Sequence, residues 1–206
     1  MNEINPISIV VFITFFMSLL FLNKKSKFDK IVLIILLISF LLEFLSIALL
    51  NFNKNIVTLY CLGFLVHNSL WIYILTFNKK LFNKIILISF ILFGLANFFF
   101  LEKNGINYIT FIIGALLYVI LFILECFKNL INENLDFFKN NEFILLIAPV
   151  LFFIGFSFIF GFRNSNIRFI KLFGKYELYQ SISTFVNIIY YTLINIYIYK
   201  ERKLNA

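Results

Sequence analysis

Residues 31–50 read IVLIILLISFLLEFLSIALL, twenty residues with a single charge, Glu43. A helix needs ~20 apolar residues to cross a bilayer. A surface helix of a soluble protein would instead show polar side chains on one face of every turn. The stretch therefore names lipid as its solvent. Six further runs of the same kind lie on either side of it: Pro6–Leu22, Ile56–Phe77, Ile85–Leu101, Tyr108–Phe127, Phe143–Phe162 and Tyr179–Tyr199. The first and fourth are short for a span. Transmembrane strands would alternate polar and apolar positions over ~10 residues, whereas these runs are apolar on all sides. The expected fold is all-α: a polytopic integral membrane protein whose single transmembrane domain, residues 1–206, is a bundle of seven transmembrane helices.

Composition agrees. Hydrophobic residues make up 62% of the chain and charged residues 14%, with a mean hydropathy of +0.98. Soluble domains run at about 25% charged, and a chain of this length has no interior large enough to hide so much apolar surface. The 31 Phe residues read as generic lipid-facing side chains. Met1 to Asn5 carries no Lys or Arg, so no cleaved signal peptide is expected. Cys61 and Cys126 fall at opposite ends of their runs, too far apart for a disulfide within one chain.

The net charge of +8 comes from basic residues in short loops, where they set topology. No basic segment reaches the size of a domain, so nucleic acid is not an expected partner. An outside N-terminus puts twelve of the 18 Lys and Arg residues on the cytoplasmic side. Lys54, Lys103, Arg163, Arg168, Lys171 and Lys175 remain on the other. That bias predicts N-out, C-in in the plasma (cytoplasmic or inner) membrane. Four of the dissenters, Arg163, Arg168, Lys171 and Lys175, share the loop 163–178, whose apolar spacing is that of a short amphipathic helix. Two readings stand: a helix lying among lipid headgroups, or a basic lid that contacts a partner. Tyrosines cluster at Tyr176, Tyr179, Tyr190, Tyr191, Tyr197 and Tyr199, and those near the ends of the last run fit an interfacial aromatic belt.

Polar groups inside the runs carry the remaining information, because a charge at the centre of a span costs at least ~2.5 kcal/mol. Glu43 is the one deep charge, and the chain's only histidine, His67, stands beside Asn68 in the third run. At ~1.5 Å rise per residue, Glu43, His67, Asn187 and Asn97 lie roughly 12, 16, 12 and 6 Å below the outer ends of their helices. Two readings again stand: interhelical hydrogen bonding, or a ligand-binding polar cavity open to the outside with Glu43 and His67 as its titratable pair. The candidate ligand-binding residues are Glu43, His67, Asn68, Asn97 and Asn187. Pro149 removes a backbone hydrogen bond from the sixth run, and Gly155 follows it. Together they mark either a packing kink or a hinge.

Several classes are excluded by what is missing. The last run has no internal lysine for a retinal. One histidine cannot build a multi-histidine zinc site, and Asp29 and Asp136 are lone carboxylates in loops rather than a magnesium-binding pair. Neither a metal nor any other cofactor is expected, and no catalytic residue is assigned. The pattern Phe-Leu-Leu-Glu43, the stretch Phe143 through Phe160 with its Pro and Gly, and Val186-Asn187-Ile-Ile-Tyr-Tyr followed by Glu201-Arg202-Lys203 resembles a group of small seven-span bacterial membrane proteins. The resemblance implies a signalling or accessory role beside sensor kinases and transcriptional regulators, and it assigns no functional residue. The expectation is a non-enzymatic module for sensing or membrane-complex assembly, embedded in the lipid bilayer, with a protein partner in the membrane or cytoplasm. A transporter of a small solute or proton and a lipid-acting membrane enzyme are the alternatives.

Overall fold

The computed structural model describes residues 6–23, 26–52, 54–77, 81–102, 106–162, 170–172 and 176–204. Helices dominate: α1 (Pro6–Phe21), α2 (Lys27–Asn51), α3 (Val57–Thr76), α4 (Leu81–Ala96), α5 (Tyr108–Ile131), α6 (Asp136–Lys139), α7 (Asn141–Gly161) and α8 (Leu178–Leu204). A π-helical turn, Asn97–Leu101, extends α4. Six of these helices, α2, α3, α4 with its π turn, α5, α7 and α8, are long and apolar enough to cross a membrane. That makes the chain a multi-pass membrane protein. The first run differs from expectation. Its helix has 16 residues, about 24 Å at ~1.5 Å each, which is short of a hydrocarbon core of ~30 Å.

Helix starts follow local chemistry. Ser26 caps α2, its hydroxyl accepting from the Asp29 N–H, and Asn140 caps α7 by accepting from the Glu142 N–H. Both helices carry an acidic residue in the first turn, where the helix dipole favours it.

The packing order is a ring. Going round it, α1 touches α2, α2 touches α3, α3 touches α5, α5 touches α7, α7 touches α8, and α8 returns to α1. Short as it is, α1 closes this ring: Phe15 stacks on Phe40 of α2 with centroids 4.7 Å apart, and Asn195 of α8 donates to the Thr14 hydroxyl at 2.9 Å. Helix α4 lies outside, against α3 and α5. Only 17% of its spanning window is buried, against 33–44% for the other five. Large apolar side chains stay exposed round the outside, Phe16, Phe44, Ile88, Ile120 and Ile154 among them. An apolar surface of that extent needs lipid in contact with it.

Close approach within the ring rests on small residues. A Cβ at Gly155 of α7 would collide with Val186 of α8, and one at Gly114 of α5 would sit 2.6 Å from Asn68 of α3. Pro149 is buried within α7 and offers no N–H to the carbonyl four residues back, that of Leu145. One residue on, the Leu146 carbonyl accepts from the Tyr118 hydroxyl at 2.7 Å, which ties the proline turn to α5.

The loop 163–178 differs from expectation where it is described. Lys171–Leu172 and Tyr176–Glu177 form a two-residue antiparallel ribbon in which Lys171 faces Glu177. Over so few residues an apolar–polar pattern fits a strand as well as a helix, and pairing acid with base across the strands favours the ribbon. Arg163, Arg168 and Lys175 lie outside the described residues.

Candidate functional site

A cavity of about 320 Å³ opens inside the ring toward the end where α2 finishes and α3 and α8 begin. Five helices wall it. Ile7 comes from α1, and Ser39, Leu42 and Glu43 from α2. Tyr60, Gly63, Phe64 and His67 come from α3, and Phe152, Phe156 and Phe160 from α7. Tyr179, Ser183, Asn187 and Tyr191 come from α8, and Ile106 covers the mouth from the loop before α5.

Glu43 lies one turn of α2 away from Ser39, so both reach the same space. The Ser8 hydroxyl of α1 donates to Glu43 Oε2 at 2.7 Å. Among the described residues no Lys or Arg pairs with this carboxylate. Asn187 holds its own helix: Nδ2 donates to the Ser183 carbonyl at 2.8 Å, and Oδ1 makes no hydrogen bond within the described residues. The amide oxygen is therefore the pole left unengaged at the wall.

His67 forms the floor with two partners. Trp71 follows it by one turn on the same face of α3, and Tyr190 reaches it from α8. The Trp71 indole N–H lies 3.0 Å from the Tyr190 oxygen and 3.3 Å from His67 Nε2, and the Tyr190 oxygen lies 3.2 Å from the same Nε2. An indole N–H only donates. The tautomer that satisfies both contacts to Nε2 is the one with its proton on Nδ1, in which the indole N–H and the Tyr190 hydroxyl both donate to Nε2. Phe152 and Phe153 of α7 pack on the imidazole at 5.6 and 6.1 Å. His67 and Glu43 share the wall without a hydrogen bond between them.

Two of the residues expected at the cavity lie elsewhere. Asn68 donates from Nδ2 to the Phe111 carbonyl of α5 at 3.3 Å, away from the cavity. Asn97, in the π turn, donates to the Thr110 hydroxyl of α5 and to Glu102 at 2.8 and 2.7 Å. Both tie helices together, and the side-chain oxygen of each is buried without a partner. Equal depth does not mean equal direction: His67 and Asn68 are one residue, and about 100°, apart on a helix of 3.6 residues per turn.

The opposite end of the bundle holds a polar group that reading the sequence had placed in a loop. Asp29 lies in the first turn of α2, 3% exposed, and accepts from the Tyr197 hydroxyl of α8. Asn141 of α7 donates to the Tyr197 carbonyl at 3.0 Å and to Glu201 at 2.7 Å. The aromatic belt expected at the ends of the last run is corrected at Tyr197. Tyr190, Tyr191 and Tyr197 are buried, because their hydroxyls or rings find partners inside the ring, while Tyr199 is 52% exposed and carries Lys203 over its ring. The i, i+4 pair His67–Trp71 was the one signal in the sequence that pointed at the floor.

No family model, curated protein or solved structure matches the chain. Its function has to be argued from the cavity. Among the described residues no group of three or more His, Cys, Asp or Glu side chains is placed to hold a metal ion, and neither Cys61 nor Cys126 forms a disulfide.

Proposed function

We propose that this chain is a non-enzymatic membrane module for sensing or membrane-complex assembly. In this reading α1–α5, α7 and α8 lie in the plasma membrane as seven spans, with the N-terminus out and the C-terminus in. The cavity then faces outward and takes a small polar ligand. Its occupant pushes on α7, whose Phe152, Phe156 and Phe160 line one wall. The helix pivots at Pro149, and its far end at Asn141, hydrogen-bonded to α8 at Tyr197 and Glu201, moves at the cytoplasmic face, where a protein partner reads it. The observation that carries the reading is a carboxylate that meets no Lys or Arg among the described residues, set in a cavity walled by five helices. Against the enzyme alternative, Glu43 and His67 make no contact that would pass a proton between them.

Ser183→Phe grows a ring into the cavity and stands in for an occupant. Hydrogen–deuterium exchange is then read at residues 137–143 and 197–203, with the outward-facing Ile188→Phe as control. Altered protection at both segments in Ser183→Phe alone is the expected result. Unchanged protection there breaks the proposed coupling.

A further inference from the structure

We infer that the cavity binds a small organic cation, an alkylammonium or quaternary ammonium group. The inference rests on the proposed role of the cavity as a ligand site and names the chemistry of its ligand.

Three independent features converge. The first is charge. Among the described residues Glu43 is the only carboxylate in the lining, no Lys or Arg lines it, the His67 imidazole makes no hydrogen bond to it, and the carboxylate's one side-chain partner is a neutral hydroxyl. A carboxylate inside an apolar bundle is costly without a counter-charge, and a cationic ligand would supply one. The second is the wall. Phe64, Phe152, Phe156, Tyr60 and Tyr179 present aromatic rings to the same space, and ring faces attract cations, with quaternary ammonium groups as the best-known guests. The third is the unengaged oxygen of Asn187, a further acceptor on the α8 wall of the cavity.

Other ligand classes fit less well. An anion would meet Glu43 and the negative ring faces, and no Lys or Arg among the described lining residues would hold it. A hard metal ion takes six or more oxygen ligands in the calcium case, and a wall of rings with one carboxylate does not provide them. A neutral apolar ligand would strip water from Glu43 and give nothing back. The volume, about 320 Å³, lies at the small end of ligand sites, which run from about 300 to 1,000 Å³. A free amine and a phospholipid headgroup carry the same ammonium chemistry, and the test separates the two sources.

The full chain is placed in nanodiscs of phosphatidylglycerol, which has no amine. Binding of choline, ethylammonium and 3,3-dimethylbutan-1-ol, the uncharged shape-mimic of choline, is measured by calorimetry. At least one cation is expected to bind ten or more times tighter than the alcohol, and Glu43→Gln is expected to remove that preference. If that variant does not fold, Phe156→Leu reads the same interaction from the wall: the cation's affinity falls severalfold and the alcohol's does not. Repeating the titration with phosphatidylcholine or phosphatidylethanolamine in the disc identifies the source. Competition by the lipid marks a headgroup site, and unchanged affinity marks a free amine. Equal binding of cation and alcohol, insensitive to Glu43→Gln, overturns the cation assignment and leaves the cavity reading standing. Binding of none of the three probes overturns the cation assignment too. The cavity reading then falls only if Ser183→Phe also leaves exchange at 137–143 and 197–203 unchanged.

Discussion

The two ends of the ring each hold a carboxyl group on α2, and they treat it differently. At the cavity end Glu43 borders about 320 Å³ of space and is met by one serine hydroxyl. At the other end Asp29 is buried against Tyr197, and the neighbouring Asn141 bridges α7 to α8 through Glu201 and the Tyr197 carbonyl. A polar group packed into a closed network holds helices in place, and its loss leaves a buried partner unsatisfied. A polar group at a cavity can be met by water or a ligand instead. Asp29 is thus set in a closed network and Glu43 beside open space, although both are acids on one helix.

The sharpest way to break that contrast is to remove one hydroxyl at each end. Tyr197→Phe deletes the side-chain donor to Asp29 and leaves a buried carboxyl one hydrogen bond short, which should cost about 1.5–3 kcal/mol, as for hydrogen bonds to charged groups. Ser8→Ala deletes the donor to Glu43, and water in the cavity replaces it. The cost there should stay below about 1 kcal/mol. Thermal unfolding of the two variants in the same detergent compares them directly. Equal losses would mean that Glu43 is also a structural anchor and that the two ends do not differ in kind.

A smaller effect tests the floor between the ends. Trp71→Phe keeps an aromatic ring against Tyr190 and Tyr118 but removes the only donor-only group of the His67 triad. Loss of one neutral buried hydrogen bond should cost about 1 kcal/mol. The imidazole then has one donor fewer at Nε2, and its proton is free to move between the two nitrogens. Nitrogen-15 chemical shifts of His67 report this: a single Nδ1–H form in the wild type and a mixture in the variant. A mixture already present in the wild type would contradict the hydrogen-bond order assigned here.

The helices themselves were legible because crossing lipid demands length and apolarity, and those are properties of a run rather than of a partner. Depth was legible too, since a fixed rise per residue places Glu43, His67 and Asn187 at similar heights, and all three line the cavity. Rotation about each helix axis was not. In runs apolar on all sides no stripe says which face turns inward, so Asn68 and Asn97 could not be told from their cavity-lining neighbours. Asp29 was hidden for a different reason: it stands among Lys24, Lys25, Lys27 and Lys30, where charge reads as solvent-facing flank. Only pairing with a tyrosine 168 residues away shows it to be interior. The π turn at Asn97–Leu101 also left no mark in composition, because it is set by the bonds Asn97 makes to Glu102 and Thr110.

The smallest effect separates two asparagines that composition makes alike. Asn68 reaches across to the Phe111 carbonyl, so Asn68→Ala removes an interhelical bond and should cost about 0.6 kcal/mol, the mean for such bonds in membrane bundles. Its oxygen is already buried without a partner, and losing that burden offsets part of the cost. Asn187 bonds only to its own helix, so Asn187→Ala should leave stability within a few tenths of a kcal/mol, since alanine is also the better helix former. Ligand binding should rank them the other way. Asn187→Ala removes an acceptor from the cavity wall and should weaken choline or ethylammonium binding severalfold, whereas Asn68→Ala, facing α5, should leave it unchanged. Unfolding and titration of the two variants in parallel decide the matter: if both fall together in either measurement, cavity and interhelical contact are not separate sites on α3 and α8.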